Sequence, residues 1–114
     1  MIARKKSRYI LIELSRPLEI TSAPAYDEFI ESIKRNIGML DFSSMGIYPI
    51  KRLSDSIFIF KVNRGYEKKF ILASAFISSL SGYSISIYSI CTSGTIKALL
   101  KKYERKYVAL KQAH

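Results

Sequence analysis

The sequence predicts an α+β sandwich: a four-stranded antiparallel sheet with two helices on one face, in the order βαββαβ, followed by an additional C-terminal helix. Three observations predict it. Apolar residues switch repeatedly between strand-like alternation and helical spacing. No internal repeat and no linker rich in Pro or Gly divides the chain. Its 114 residues, 48% of them hydrophobic, suit one domain with its own core.

The elements follow in order. Residues 7–14, SRYILIEL, are a short apolar run rich in β-formers and bounded by Pro17, hence a strand. Residues 22–40 read as a helix, with Tyr26, Phe29, Ile30, Ile33, Ile37 and Leu40 on one face. Pro24 suits its first turn, where a missing N–H costs nothing. Asp27, Glu28 and Glu31 crowd its start, the positive end of the helix dipole. Residues 45–52, MGIYPIKR, read as a weak strand that Pro49 assigns to an edge or a bulge. Residues 56–64, SIFIFKVNR, are the strongest strand, joined to it as a hairpin through Leu53-Ser54-Asp55. Residues 66–82 read as a second helix, capped by Gly82. Residues 83–91 alternate, with Tyr83, Ile85 and Ile87 on one face and Ser84 and Ser86 on the other. The polar turn 92–95 opens a third helix that runs to residue 110. The first six elements match the ferredoxin-like (RRM-like) plan. The third helix needs cover for its apolar stripe, on an end or on the open face of the sheet. The domain is expected over 9–110, with a flexible basic arm at 1–8 and a disordered tail at 111–114.

Charge is unevenly placed. The chain carries 19 Lys+Arg against 9 Asp+Glu, a formal +10. Arg4, Lys5, Lys6 and Arg8 stand at one end without an acid. Lys97, Lys101, Lys102, Arg105, Lys106 and Lys111 stand at the other against Glu104 alone. The middle is nearly neutral. Such a distribution reads either as basic solvated tails or as a footprint for phosphates, and blocks without interleaved acids favour the second.

Candidate chemistry is sparse. A single cysteine, Cys91, excludes an internal disulfide and a Cys-based zinc site, and its strand setting makes it a small buried hydrophobe. The one histidine, His114, is the last residue. Sixteen serines include no nucleophile elbow, and no metal-ligand spacing occurs. The chain is not expected to catalyse a reaction alone or to hold a cofactor. No apolar run reaches membrane-spanning length and the N-terminus is not a signal peptide, so a cytoplasmic location away from membranes is expected.

Two stretches stand out. Ser93 and Thr95 are good N-cap residues, and Gly94 between them allows a sharp turn. The free N–H groups of such a helix start accept an anion, with Lys97 beside them and Lys101, Lys102 and Arg105 on the outward face. An ordinary capped amphipathic helix reads the same way. The second helix has Tyr66, Phe70, Ala73, Ile77 and Leu80 on its core face, widened by Leu72 and Phe76, with Ile71 and Ala75 beyond. That width calls for an extra element or, more in keeping with so small a domain, a protein partner.

FKVNRGY (60–66), ILASAFISSLSG (71–82), RYILIEL near the start and above all SGTIKALLKK (93–102) carry a resemblance. They resemble the small α/β subunit of archaeal ribonuclease P, protein component 2, whose eukaryotic relative is shared by ribonucleases P and MRP. The resemblance implies a ribonucleoprotein endonuclease that removes the 5′ leader of precursor tRNA. Its RNA does the chemistry with bound magnesium, and this chain binds no cofactor. Implied partners are the ribonuclease P RNA, protein component 3 (TIM-barrel-like), precursor tRNA indirectly, and a second copy within a heterotetramer. Implied RNA contacts are Ser93, Gly94, Thr95 and Lys97 on a backbone phosphate, then Lys101, Lys102 and Arg105 along an RNA helix. Arg4, Lys5, Lys6 and Arg8 form an arm that orders on binding, and Arg64 with Lys68 and Lys69 adds to it. Leu72, Phe76 and Ile71 face the protein partner. Two other readings remain. One is a stand-alone RRM-like module stacking bases on Tyr9, Phe58 or Phe60. The other is a ferredoxin-like ligand-binding or oligomerisation domain, supported only by Gly65 and Gly82.

Overall fold

Ile10, Leu11 and Ile12 are consecutive, and none exposes any surface (0% each). Successive strand side chains point to opposite faces, so this strand is covered on both sides. That is why its sequence is a continuous apolar run rather than an alternating one. The computed structural model describes residues 6–18 and 22–112, the side chains of 22–23 and 107–112 excepted. Its elements are β1 (Ser7–Leu14), α1 (Ser22–Ile37), α2 (Met39–Met45), β2 (Tyr48–Ser54), β3 (Ile57–Asn63) and α3 (Glu67–Ala75). They continue with β4 (Ser79–Leu80), β5 (Tyr83–Ser84), β6 (Ile87–Ser93) and α4 (Ile96–Gln112).

The main sheet has the order β2-β3-β1-β6, antiparallel throughout, as the ferredoxin-like plan requires. One face carries α1 and α3. There Phe60 packs on Phe29 with ring centroids 4.6 Å apart and on Phe70 at 5.6 Å. Ile10, Ile12, Phe58, Val62 and Ile33 complete that core. The other face carries α4, whose Leu99 is buried with Leu11, Ile59 and Cys91. The third helix thus covers the open face of the sheet, giving three layers.

Several boundaries differ from the expected ones, each for a physical reason. The helix expected over 22–40 breaks at Gly38, which adopts φ 83°. A second short helix starts with a new phase, so Leu40 is 87% exposed instead of facing the core. The hairpin turn lies at 55–56, one step later than expected. Arg52 braces it: its guanidinium donates to Ser54 O (3.1 Å) and Leu18 O (2.5 Å) and lies 4.9 Å from the Phe58 ring. Pro49 does sit on an edge strand, in a stretch of irregular register. Ser7 and Arg8 pair with Asn63 and Val62, so the strand begins inside the segment expected as an arm. At the other end, α4 runs to Gln112, into the expected tail.

The helix expected over 66–82 ends at Ala75. Ser81 and Gly82 take φ 53° and 79°, the left-handed pair of a two-residue hairpin turn between β4 and β5. Gly82 is therefore a turn residue, not a helix cap. A serine tolerates that backbone because Glu28 holds it. The Glu28 carboxylate accepts from Ser81 N (2.6 Å) and Ser81 Oγ (2.9 Å). Ile77 and Leu80 are buried as expected, but from the loop and β4 rather than from a helix.

The last strand is shorter than its alternating pattern. Tyr83 is 45% exposed, apart from buried Ile85 and Ile87. Along β6, Leu11 pairs with Cys91 but Ile12 pairs with Ser89, so Ile90 is an extra residue, a bulge. The bulge changes the parity of the strand. Ile87 faces the α1/α3 core, and Cys91 faces α4.

Candidate nucleic-acid interface

β1 lies between β3 and β6 and runs against both, so its start meets their ends. Ser7 pairs with Asn63, Tyr9 pairs with Ser93, and Arg64 N donates to Lys6 O at 2.7 Å. Helices α3 and α4 both begin at this end of the sheet. The chain's separate basic blocks are therefore neighbours. Lys6 just before β1, Arg8 on it, Arg64 after β3, Lys68 and Lys69 on α3, and Lys97 on α4 share one end of the molecule. Arg4 and Lys5 lie outside the described residues, as does His114.

The turn at 93–95 is built as follows. Thr95 is the cap: its Oγ1 accepts from Ala98 N at 3.1 Å, and its C=O accepts from Leu99 N at 3.1 Å. Ser93 is the last residue of β6 and does not cap. Ile96 and Lys97 keep the unpaired N–H groups of a first helical turn. Gly94 is needed for space, not for a sharp turn, since its φ is not among the positive ones. A Cβ there would stand 2.7 Å from Arg8 Nη1. The Arg8 guanidinium thus lies against the turn, adding a cation that belongs to β1 rather than to a free arm.

On α4, Lys97, Lys101 and Arg105 are exposed. Lys102 does not face away as expected. Its Nζ crosses the edge of β6 and donates to Thr92 O at 2.8 Å. One turn later Lys106, which sequence reasoning left out, donates to Ile90 O. With Arg105 they line an open groove of about 570 Å³ along β6. The i, i+4 lysines beside an edge strand were the available signal. Among the described residues, ion pairs to carboxylates involve Arg52 with Asp55 and Lys69 with Asp41. Lys6, Arg8, Arg64, Lys68, Lys97, Lys101 and Arg105 are in none of them.

Three carboxylates have partners other than these cations or hold one of the outer ones. Glu28 holds Ser81, Glu67 accepts from Gly65 N at 2.5 Å, and Asp41 meets Lys69 at 3.2 Å. Among the described residues no group of three His, Cys, Asp or Glu side chains is placed to hold a metal ion, and no described helix is long and apolar enough to cross a membrane. Burial raises the Cys91 thiol pKa, while Lys106 and Lys102 pull it down.

A second surface is apolar. Leu72 and Phe76 are 61% and 69% exposed, and Ile71, expected beside them on the partner side, is half-buried against the core. Helical spacing puts Lys69, Leu72, Ala73 and Phe76 on one side of α3. Lys69 reaches Asp41 of α2, and Ala73 O accepts from Asn36 Nδ2 at 3.1 Å. Exposed Met39 and Leu40 lie in sequence between Asn36 and Asp41, the two residues that meet α3. Leu40 was expected on the core face of one long helix, and the break at Gly38 turns it outward instead.

The base-stacking platform of the RRM-like reading is not formed. Phe58 and Phe60 are 4% and 0% exposed, under α1 and α3. The opposite sheet face lies under α4. Gly65, at φ 99°, turns the chain into α3, and Gly82 turns a hairpin, so the ligand-binding reading loses its support.

Fold and interface define a class: small basic proteins of the ferredoxin-like plan that gather cations at one end of the sheet. The model of the Rpp14/Pop5 family matches residues 8–104. Ribonuclease P protein component 2 of Methanocorpusculum labreanum is 30% identical over 100 residues, which span 87% of this chain and 67% of that protein. A chain in the cryo-electron microscopy structure of yeast ribonuclease MRP shares the fold, with a TM-score of 0.64 and 10% identity over 100% of both chains. The chain belongs to the Rpp14/Pop5 family of ribonuclease P protein subunits.

Proposed function

We propose that the chain is the component 2 subunit of a ribonuclease P that removes the 5′ leader of precursor tRNA in the cytoplasm of an archaeon. It supports the catalytic RNA and leaves the chemistry to that RNA and its magnesium. One observation carries the reading: Lys6 and Arg8 of one basic block meet Lys97, at the start of the other, at one end of the sheet, where most of the cations have no carboxylate partner among the described residues. Cations so placed screen phosphate repulsion and position an RNA backbone without reading sequence. Arg8, Gly94, Thr95 and Lys97 grip one phosphate, and Lys101 and Arg105 extend the contact. Lys6, with Arg4 and Lys5 of the basic arm ordering on binding, adds further phosphate contacts, and Arg64 and Lys68 widen the surface. Leu72 and Phe76, joined by Met39 and Leu40, pair with protein component 3 in an assembly that includes a second copy of this chain. Reconstitution tests the reading. The chain, its RNA and component 3 should cleave precursor tRNA at a lower magnesium concentration than the RNA with component 3 alone. An unchanged magnesium requirement, or cleavage by the chain without RNA, refutes it.

A further inference from the structure

At the same end of the sheet lies an open recess of about 480 Å³, lined by Lys6, Ser44, Asn63, Arg64 and Tyr66. Its volume falls in the range of about 300–1,000 Å³ common to small-ligand sites. The backbone bond from Arg64 N to Lys6 O, 2.7 Å, keeps two cations side by side. Neither side chain has a hydrogen-bond or ion-pair partner among the described residues. Asn63 is fixed in orientation. Its Nδ2 donates to Ser44 O at 2.9 Å, and its amide packs on Gly46, where a Cβ would stand 2.6 Å from Nδ2. Oδ1 is thereby left as a fixed acceptor. Tyr66 is half-buried against the core and forms the wall. Lys69, held by Asp41, sits 5.5 Å over the Tyr66 ring.

Two cations, one oriented amide acceptor and one aromatic wall match the parts of a nucleotide. Lys6 and Arg64 suit a phosphate, Asn63 Oδ1 suits an exocyclic amine, and Tyr66 suits the flank of a base. A base can enter this recess and lie against Tyr66 only when it is out of its helix, so the strand must be unpaired there. We propose that this recess takes one unpaired, amine-bearing nucleotide (adenosine, cytidine or guanosine rather than uridine) from an RNA strand. The site rests on the RNA-subunit reading and adds base discrimination to a surface otherwise limited to backbone contacts.

The test uses the full chain with labelled pentanucleotides. Pentaadenylate should bind about fivefold or more tighter than pentauridylate, in line with one good contact to a base edge. Asn63→Ser should erase that preference. A thermal melt checks that the variant is folded, and ultraviolet crosslinking of pentaadenylate to Tyr66 in the unmodified chain gives a readout independent of it. Adenosine monophosphate should compete better than inorganic phosphate. Equal binding of the two pentanucleotides, crosslinks confined to other residues, or equal competition by phosphate overturns the proposal. If structured RNA still binds with its usual salt dependence in that case, only the recess falls. If no RNA binds, the underlying reading falls as well.

Discussion

Gly94 and Gly46 each sit against another residue's side chain, yet their reasons for being glycine differ. Gly46 has φ 61° and packs on the fixed Asn63 amide; Gly94 has an ordinary backbone and packs on the movable end of Arg8. Gly46→Ala should therefore lower stability by about 1–3 kcal/mol in urea unfolding, as a strained backbone position does. Gly94→Ala should leave the melting temperature nearly unchanged while displacing Arg8 and weakening RNA binding. A large loss of stability at 94 would mean that the turn, not the contact, requires glycine. Cys91 gives a pH prediction. Burial raises its pKa, so the unfolded chain loses the thiol proton first. Stability from this group is complete below the unfolded thiol's range and falls as pH rises through it. Between about pH 8 and 10, Cys91→Ala should flatten that decline in urea titrations. An equally steep decline in the variant would exclude the thiol.

At the scale of elements, β6 is an edge strand whose carbonyls at Ile90 and Thr92 are occupied by Lys106 and Lys102. Edge strands left open recruit other strands. The double variant Lys102→Ala, Lys106→Ala should associate further than the unmodified chain in sedimentation at low salt; identical sedimentation would make the lysine clasp incidental. The four strands of the main sheet were legible in the sequence, because local pattern marks them, and their antiparallel arrangement followed from matching the element order to the ferredoxin-like plan. So were the burial of Cys91 and the cap at Thr95. What was not legible depends on partners distant in the chain. The end of α3 goes with the turn at Ser81, which is held by a carboxylate 53 residues away. The reach of Lys102 depends on which sheet face α4 chooses. The bulge at Ile90 appears only when β6 meets β1, and no alternating pattern announces it.

For the whole molecule, antiparallel pairing brings together cations that the sequence holds far apart. RNA binding should accordingly lose about one unit of salt slope for each phosphate contact removed by Lys97→Ala and Lys101→Ala, measured by titration at several salt concentrations. An unchanged slope removes those lysines from the interface. The same arrangement constrains how the chain is made. β1 is first in sequence but innermost in the sheet, flanked by Ile57–Asn63 and Ile87–Ser93. A nascent chain can cover one border of this strand once Ile57–Asn63 has been made, but the other stays vacant until Ile87–Ser93 follows. Its complete assembly must then be a late event, and a polypeptide cut short before residue 87 would keep one side of an apolar ribbon open to its neighbours.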